Sequence, residues 1–231
     1  MPVDFCDPIL VEPRPSRHRD TGAARRSRTA GGYRTAGKTV FEYLLILAAL
    51  PVVLPVIALM ALLVSLDGGR PFYWQRRAGR DGTAFDMVKI RTMVPNADQI
   101  LQDYLERNPE ARREWDEKQK LRHDPRVTWI GAILRRTSLD ELPQLWNVLR
   151  GEMALVGPRP MMVEQQDLYA GIDYYRLRPG ITGLWQVSAR NHSSFAERVR
   201  FDAEYHDSLS LKTDLSILVR TVGAVLRCTG H

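Results

Sequence analysis

Two adjacent carboxylates, Asp140 and Glu141, lie in a stretch of the sequence that is otherwise rich in positive charge. Arg135 and Arg136 precede them, and Arg159 follows between two prolines, which restrict its backbone. Arginine binds phosphate oxygens in pairs, and Mg²⁺ is held by carboxylates together with phosphate oxygens. These residue types therefore predict a site for a diphosphate and a divalent metal ion.

The two carboxylates are expected to have different roles. Neighbouring side chains on a helix project about 100° apart, so both cannot face the same atom. One can attack a phosphorus atom while the other holds the metal ion. The dipole of a helix that begins here favours the ionised form of Asp140, which a nucleophile requires. Lys89 and Arg91 alternate on a predicted strand and are further candidates for binding phosphate.

A structural explanation of the same residues stays open. Ser138 and Glu141 fit a capping box at the start of a helix. Pro143 suits the first turn of that helix and Gly151 its end. Asp140 and Glu141 would then only complement the positive end of the helix dipole. The apolar stripe of this helix would consist of Leu142, Leu145, Trp146 and Leu149.

Residues 44–64 form an uncharged apolar run of 21 residues, LLILAALPVVLPVIALMALLV. As a helix it would be about 31 Å long, close to the hydrocarbon thickness of a bilayer. Residues 1–38 carry eight Lys and Arg and residues 70–91 carry six, whereas a spanning helix should have one basic side. Pro51 and Pro55 should kink the helix. A re-entrant helix with both ends in the cytosol explains both observations, and a kinked single-pass helix is the alternative.

The rest of the chain predicts a small membrane-associated fold of the α/β or α+β class. Asp81-Gly82 predicts a β-hairpin, and residues 97–107 predict a helix. Residues 211–227 predict an amphipathic helix, on the core or in the membrane interface, with an apolar stripe of Leu211, Leu215, Leu218, Val222 and Val225. Cys6 and Cys228 are too few for a disulfide framework or a zinc site, which indicates a reducing cytoplasm. The expected organisation is a disordered basic tail (1–37), a re-entrant membrane helix (38–66) and a cytosolic domain (67–231).

Five blocks of sequence, taken in order, resemble the bacterial sugar transferases that begin polysaccharide assembly on a lipid carrier, the monotopic polyprenyl-phosphate phosphoglycosyl transferases. The resemblance covers residues 38–225 and is greatest to enzymes that transfer galactose 1-phosphate in exopolysaccharide synthesis. It departs from the family at residues 38–42, where KTVFE replaces the usual Lys-Arg-x-Phe-Asp. The blocks are KIRTM (89–93), DPRVT (124–128), SLDELPQL (138–145), GPRP (157–160) and RPGITG (178–183).

This resemblance implies a two-step reaction. Asp140 would attack the β-phosphorus of a UDP-sugar and release UMP, and undecaprenyl phosphate would then accept the sugar phosphate. Glu141 would bind Mg²⁺, with Asp140 close enough to share it. The family's membrane helix is re-entrant and is kinked at a proline that aligns with Pro55. The phosphates would be held by Lys89, Arg135 and Arg159.

The resemblance also implies a location and partners. The catalytic domain would lie on the cytoplasmic face of the inner membrane, and downstream glycosyltransferases would use its product. Asn191 and His192 follow a Gly-containing loop and are weaker candidates for contact with the nucleotide or sugar. The rival hypothesis is a membrane-tethered basic adaptor for nucleic acid or anionic lipid. Nucleic acid is not expected as a partner, because the basic tail contains only Phe5 and Tyr33 as aromatic residues.

Overall fold

The computed structural model describes residues 32–66, 68–118, 121–188 and 197–226. Helices and strands are mixed, which confirms the predicted class. The helices are α1 (Lys38–Ser65), α2 (Ala97–Arg107), α3 (Pro109–Lys118), α4 (Trp129–Thr137), α5 (Leu145–Leu149), α6 (Leu184–Ser188), α7 (Arg198–Ser208) and α8 (Leu211–Leu226). The strands are β1 (Phe72–Ala78), β2 (Ala84–Ile90), β3 (Ala154–Val156) and β4 (Gly180–Thr182).

The predicted β-hairpin is confirmed. Strand β1 pairs antiparallel with β2, from Phe72 opposite Ile90 to Ala78 opposite Ala84. Asp81 and Gly82 form the turn with positive φ angles of 58° and 74°, a region that glycine and short polar residues tolerate. The hairpin presents Phe85 and Met87 to the core, where they pack with Ile46, Val148 and Met153.

Strands β3 and β4 form a second, parallel pair that brings two of the sequence blocks together. The amide of Gly157 donates to Thr182 O at 2.9 Å, and the amide of Gly180 donates to Pro158 O at 2.7 Å. A Cβ atom on Gly157 would lie 2.4 Å from Arg178 O, so this close approach requires glycine. Residues 157–160 and 178–183 therefore lie side by side, and this pairing positions Arg159.

Helix α1 is the one described helix long and apolar enough to cross a membrane. Its helical conformation continues through Pro51 and Pro55, so neither proline breaks it. A π-helical turn, Tyr33–Gly37, precedes α1, and ordered structure thus begins before the predicted boundary at residue 38. The physical reason is tertiary: Tyr33 donates to Asp214 at 2.7 Å. The rest of the predicted basic tail lies outside the described residues.

Both ends of α1 pack against the same domain. Near the start, Ile46 is buried with residues of β2 and α5. Near the end, Val64 is buried with Ile90 and Leu134. Between these contacts, the side chains of Val52 and Leu54 are exposed. The domain thus contacts α1 on either side of its exposed middle.

Ion pairs fix the beginning of α1 to the domain. Lys38 Nζ lies 2.6 Å from Asp214 Oδ2 and 2.9 Å from Glu42 Oε1. Glu42 in turn accepts from the amide of Leu155 and from Arg178, both at 3.0 Å. These buried charges pair with one another. Residues 38–42 therefore form a complete ionic network although they depart from the family pattern.

Helix α8 is amphipathic, as predicted, but it packs through a face other than the predicted stripe. Asp214 and Ile217 are fully buried against the domain. Asp214 is accommodated there because Tyr205 donates to it at 2.7 Å and Lys38 neutralises it. Most of the predicted stripe is exposed, namely Leu211, Leu215, Val222 and Val225. One face of α8 therefore packs against the core, and a second, apolar face is exposed at the surface.

Candidate active site

The carboxylate pair lies in a short 3₁₀ helix, Leu139–Gln144, between α4 and α5. The predicted capping box at Ser138 is wrong. Ser138 ends α4 with a positive φ of 57°, and its side chain makes no capping hydrogen bond. The helix that precedes it, α4, is capped instead by Thr128, whose Oγ1 accepts from the amide of Gly131 at 2.9 Å. A helical segment therefore begins directly after Ser138, as predicted, but its first part is a 3₁₀ helix and Ser138 does not cap it through its side chain.

The buried face of segment 139–149 also differs from the predicted apolar stripe. Pro143 lies inside the 3₁₀ helix, and Trp146 is 60% exposed, whereas Gln144 and Asn147 are buried. The side chain of Asn147 accepts from the amide of Val88 at 3.1 Å and donates to Asp86 O at 2.8 Å. The polar Asn147 is buried here in place of an apolar side chain because it pairs with backbone groups of β2. Residues 139–149, which include Asp140 and Glu141, are called the carboxylate segment below. The bonds of Asn147 hold this segment against the hairpin.

Asp140 is the buried member of the pair, with 8% of its surface exposed. Burial raises the pKa of Asp140 to about 6, although the positive charges of Lys89 and Arg135 oppose this rise. Loss of hydration is therefore the largest effect on the pKa of this carboxyl group. Since the pKa stays below 7, the carboxylate is still mostly ionised at neutral pH.

Three of the predicted residues surround this carboxylate. Lys89 Nζ lies 2.8 Å from Glu141 Oε1, and both side chains are partly accessible. Arg135 donates from Nε to Thr92 Oγ1 at 2.9 Å, and burial lowers its pKa, while Asp140 is the first of the charges that oppose this fall. The structure therefore brings Lys89, Arg135 and Glu141 together around Asp140.

A polar pocket opens beside Glu141, between the hairpin and strands β3 and β4. Lys89 and Arg159 contribute to its wall, as predicted, together with an arginine that the sequence analysis did not single out, Arg77. Arg77 and Lys89 lie on the same face of the hairpin, so the alternation of the two strands could have indicated it. The pocket is lined by Arg77, Lys89, Glu141, Gln144, Arg159 and Gln186.

The positive charges of this pocket are close to one another. The pKa of Arg77 is lowered by burial and by the neighbouring charge of Arg159. Arg159 and Arg198 both lie over the ring of Trp185, at 5.8 and 5.4 Å from its centroid. Arg198 also donates to the carbonyl oxygen of Arg159. Like charges held in a partly buried site favour binding of an anion between them. No pattern in the sequence indicated Arg198.

Gln186 is the third residue that sequence reasoning missed. Both polar atoms of its amide are buried, and neither has a hydrogen-bond partner among the described residues. Nε2 of Gln144 is in the same situation. Buried amides normally pair, so two unpaired amides in one pocket indicate that a ligand supplies the partners.

Arg91 does not line this pocket. It follows the last residue of β2, and its guanidinium donates to the carbonyl oxygens of Val64, Arg70 and Met93. These bonds fasten the end of α1 to the hairpin. Asn191 and His192 lie outside the described residues.

Two larger cavities adjoin the polar pocket. A basic cleft of about 1240 Å³ shares Arg77 with the pocket and also includes Arg135. The other basic and aromatic residues of this cleft include Tyr104, Arg122, Arg126, Trp129 and Arg136. An apolar groove of about 230 Å³ shares Glu141, Arg159 and Gln186 with the pocket. Trp129 lines the cleft and is 79% exposed.

Asp140 and Glu141 fit a Mg²⁺ site completed by a substrate. Among the described residues, no group of three or more His, Cys, Asp or Glu side chains is placed to hold a metal ion. Mg²⁺ is commonly bound by only one or two carboxylates, with phosphate oxygens and water supplying the other ligands. The donor set therefore suits a metal ion that arrives with a phosphorylated substrate, provided that Glu141 exchanges its bond to Lys89.

The chain matches the model of the family described as bacterial sugar transferase over residues 33–228. It is 49% identical over 195 residues to the UDP-galactose-lipid carrier transferase of Erwinia amylovora, which is 84% of this chain and 41% of that protein. It is 46% identical over 214 residues to the exopolysaccharide production protein ExoY of Rhizobium meliloti, covering 91% and 92% of the two chains. Identity to the undecaprenyl-phosphate galactose phosphotransferase of Salmonella typhimurium is 43% over 195 residues, again 84% of this chain and 41% of that protein. The chain thus spans less than half of two of these relatives and almost all of ExoY.

Proposed function

Because the chain belongs to the bacterial sugar transferase family, we propose that it transfers a sugar 1-phosphate from a UDP-sugar to undecaprenyl phosphate. The observation that carries this proposal is the buried carboxylate of Asp140, on which the charges of Lys89 and Arg135 act. Its neighbour Glu141 lines a pocket together with Arg77 and Arg159. Burial raises the pKa of Asp140 only to about 6, so the carboxylate is mostly ionised at neutral pH. This combination suits attack on phosphorus.

In the first step, a carboxylate oxygen of Asp140 attacks the β-phosphorus of the UDP-sugar. A new oxygen–phosphorus bond forms, and the bond from the β-phosphorus to the bridging oxygen breaks. UMP leaves with that electron pair, and the sugar phosphate stays attached to Asp140 as an acyl phosphate. Lys89 and Arg135 stabilise charge on the phosphoryl oxygens because they are already in place.

In the second step, a phosphate oxygen of undecaprenyl phosphate attacks the same phosphorus. The bond to Asp140 breaks, the free carboxylate is restored, and undecaprenyl-diphosphate-sugar is formed. Arg159 and Arg77 line the pocket next to Glu141, where they can hold the phosphate groups of either substrate. The product would be the substrate of downstream glycosyltransferases that extend the repeat unit.

The donor nucleotide is assigned to the basic cleft. Arg77 lines both the cleft and the polar pocket, so a bound diphosphate would extend from one into the other. Arg135 lines the cleft and also acts on the charge of Asp140. The exposed ring of Trp129 in the cleft offers a surface on which a base can stack.

Mg²⁺ is proposed as the metal ion, held by Glu141 with Asp140 and the substrate phosphates. When bound, it would neutralise negative charge on the diphosphate. Galactose is the first sugar to test, because the Erwinia and Salmonella relatives carry galactose in their names. The name of ExoY, an exopolysaccharide production protein, supports exopolysaccharide synthesis as the pathway to test.

A re-entrant topology of α1 is proposed from its packing. The contacts of Ile46 and of Val64 lie on the same domain, although they stand on opposite sides of the exposed middle of the helix. A helix that crossed the bilayer would present only one end to a domain on one side. The catalytic domain and both ends of α1 would therefore lie on the cytoplasmic face of the inner membrane.

The proposed function is tested by UMP release in a panel of UDP-sugars. The protein is embedded in lipid nanodiscs with undecaprenyl phosphate and Mg²⁺, and the lipid product is identified by mass spectrometry. We expect UMP and undecaprenyl-diphosphate-galactose with UDP-galactose. Without the acceptor lipid, intact-mass analysis should find one hexose phosphate on Asp140. The absence of UMP with every common UDP-sugar would overturn the proposal.

A further inference from the structure

An apolar groove lies between the carboxylate segment and the C-terminal helix α8. Leu142 and Leu145 form one wall, and Leu218 and Val225 of α8 form the other. Leu155 and Ile181, at the paired strands β3 and β4, line the groove between them. The walls of the groove are thus mainly aliphatic, although Ser138, Thr182 and Thr221 also line it.

The polar end of this groove meets the reacting groups. Glu141, Arg159 and Gln186 line the groove and also the polar pocket. The amide of Gln186 is buried there without a partner in the part of the chain that the structure describes, and Arg159 supplies positive charge. A ligand in the groove would therefore place its first polar group beside Glu141, and that group should be an anion that accepts hydrogen bonds.

Exposed apolar side chains lie next to residues of both walls. Trp146 follows Leu145 on α5, and Val222 lies one turn before Val225 on α8. The exposed middle of α1 supplies a further apolar surface on the same domain. Groups of this kind lie at the boundary between water and lipid. The groove therefore connects an anion site with a surface suited to the membrane.

We propose that this groove binds the first isoprene units of the acceptor lipid, with the lipid phosphate beside Arg159 and Gln186. This inference rests on the function proposed above and assigns a place to one of its two substrates. A UDP-sugar does not fit the groove, because every part of that molecule is polar. A polyprenyl phosphate has the matching chemistry, which is one anionic group at the end of an apolar chain.

The experiment narrows the groove with Ala224→Phe, since Ala224 lines it. Val219→Phe is the matched control, because Val219 lies on the same helix but is exposed outside the groove. We expect Ala224→Phe to raise the KM for undecaprenyl phosphate by at least about tenfold through lost apolar burial. Formation of the Asp140 adduct from UDP-sugar without acceptor should stay unchanged in both variants. Val219→Phe should leave the acceptor KM unchanged.

A second measurement needs no variant. Wild-type protein is assayed with two water-soluble acceptors, dimethylallyl phosphate and geranyl phosphate, which differ by one isoprene unit. We expect the longer acceptor to have a KM lower by about tenfold or more. Equal KM values for the two, or an unchanged acceptor KM in folded Ala224→Phe, would overturn the groove assignment while the proposed function stands. A wild-type protein that releases no UMP would overturn both.

Discussion

Asp140 combines a buried position with a negative charge, and its neighbours decide what that combination can do. Burial alone disfavours the charged form, and the cations Lys89 and Arg135 limit this effect, so that the pKa is about 6. A carboxylate of this kind is poorly hydrated and still ionised at neutral pH. Both properties favour a nucleophile, because little water has to be removed before attack.

Asp140→Asn should abolish UMP release, since an amide cannot form the acyl phosphate. The variant should still insert into membranes, because Asn has the same shape. UMP is measured by chromatography, and adduct formation by intact mass. The matched control is Asp98→Asn on the exposed surface of α2, which should keep full activity. Turnover at the wild-type rate in Asp140→Asn would exclude the covalent mechanism.

The raised pKa of Asp140 predicts opposite effects of pH on stability and activity. The folded protein holds this proton more tightly than the unfolded chain, so stability is lost as pH rises from about 4 through 6. Asp140→Asn should therefore raise the melting temperature at pH 7 by about 5 °C, and this difference should vanish near pH 4. Wild-type activity should fall as pH drops below about 6, because the nucleophile is protonated.

The pH measurements need a control for the titration of Asp202, since burial also raises the pKa of Asp202 to about 6. It accepts a hydrogen bond from Tyr169 at 2.8 Å and does not line the polar pocket. The fall in activity below pH 6 should therefore persist in Asp202→Asn. If it disappears there, Asp140 is not the group that controls the rate.

Replacement of Gln186 should change stability and activity in opposite directions. Its amide is buried without partners in the structure, so replacing it by the apolar Gln186→Met should raise the melting temperature slightly. The same variant should lower kcat/KM by about tenfold or more, because substrate loses its hydrogen bonds. Gln186→Glu should be worse than Gln186→Met, since a carboxylate repels phosphate. Gln102→Met on the exposed face of α2 is the control and should not affect kcat/KM.

At the scale of elements, the carboxylate segment depends on its attachment to the hairpin. Asn147 supplies this attachment through its bonds to Val88 and Asp86. Asn147→Ala leaves those backbone groups unpaired in a buried place and should cost about 2–3 kcal/mol of unfolding free energy. Asn96→Ala, at an exposed Asn whose side chain makes no capping bond, should change little. Chemical denaturation of both variants measures the difference.

Local sequence patterns predicted those elements whose residues interact with near neighbours. The turn at Asp81-Gly82 and the helix over 97–107 are of this kind. The cluster of Lys89, Arg135 and Glu141 was predicted from residue chemistry and from the family resemblance. The helical segment after Ser138 was predicted, but its side-chain cap is absent, because Ser138 also ends α4 in the left-handed conformation.

The residues that sequence reasoning missed depend on contacts between distant segments. Arg198 reaches the site only because α7 packs beside Trp185, and Gln186 only because strands β3 and β4 pair. Arg91 was assigned to phosphate although β2 ends at Ile90, and its side chain holds the end of α1 instead. Composition and spacing do not report such long-range pairings, which is why the polar pocket had to be found in the structure.

At the scale of the whole molecule, three cavities of different chemistry meet at one carboxylate segment. The basic cleft and the polar pocket share Arg77, and the polar pocket and the apolar groove share Glu141 and Arg159. In the proposed reaction, a water-soluble nucleotide and a membrane lipid would thus reach the same phosphorus through different cavities. This arrangement requires the catalytic domain to rest on the membrane surface, and the packing of α1 and α8 provides the apolar faces for it.

The proposed topology of α1 predicts where two engineered cysteines will be found. Cys6→Ser and Cys228→Ser first remove the native thiols. Ala36→Cys then adds one exposed thiol before α1 in the sequence, or Asp98→Cys adds one after it. Because both ends of α1 contact the same domain, a membrane-impermeant maleimide should label neither site in cells with a permeabilised outer membrane. Both sites should react after lysis, and a periplasmic cysteine protein should react before it. Labelling of Ala36→Cys alone in unbroken cells would mean that α1 crosses the bilayer, and the contacts at one of its ends would then have to be absent in the membrane.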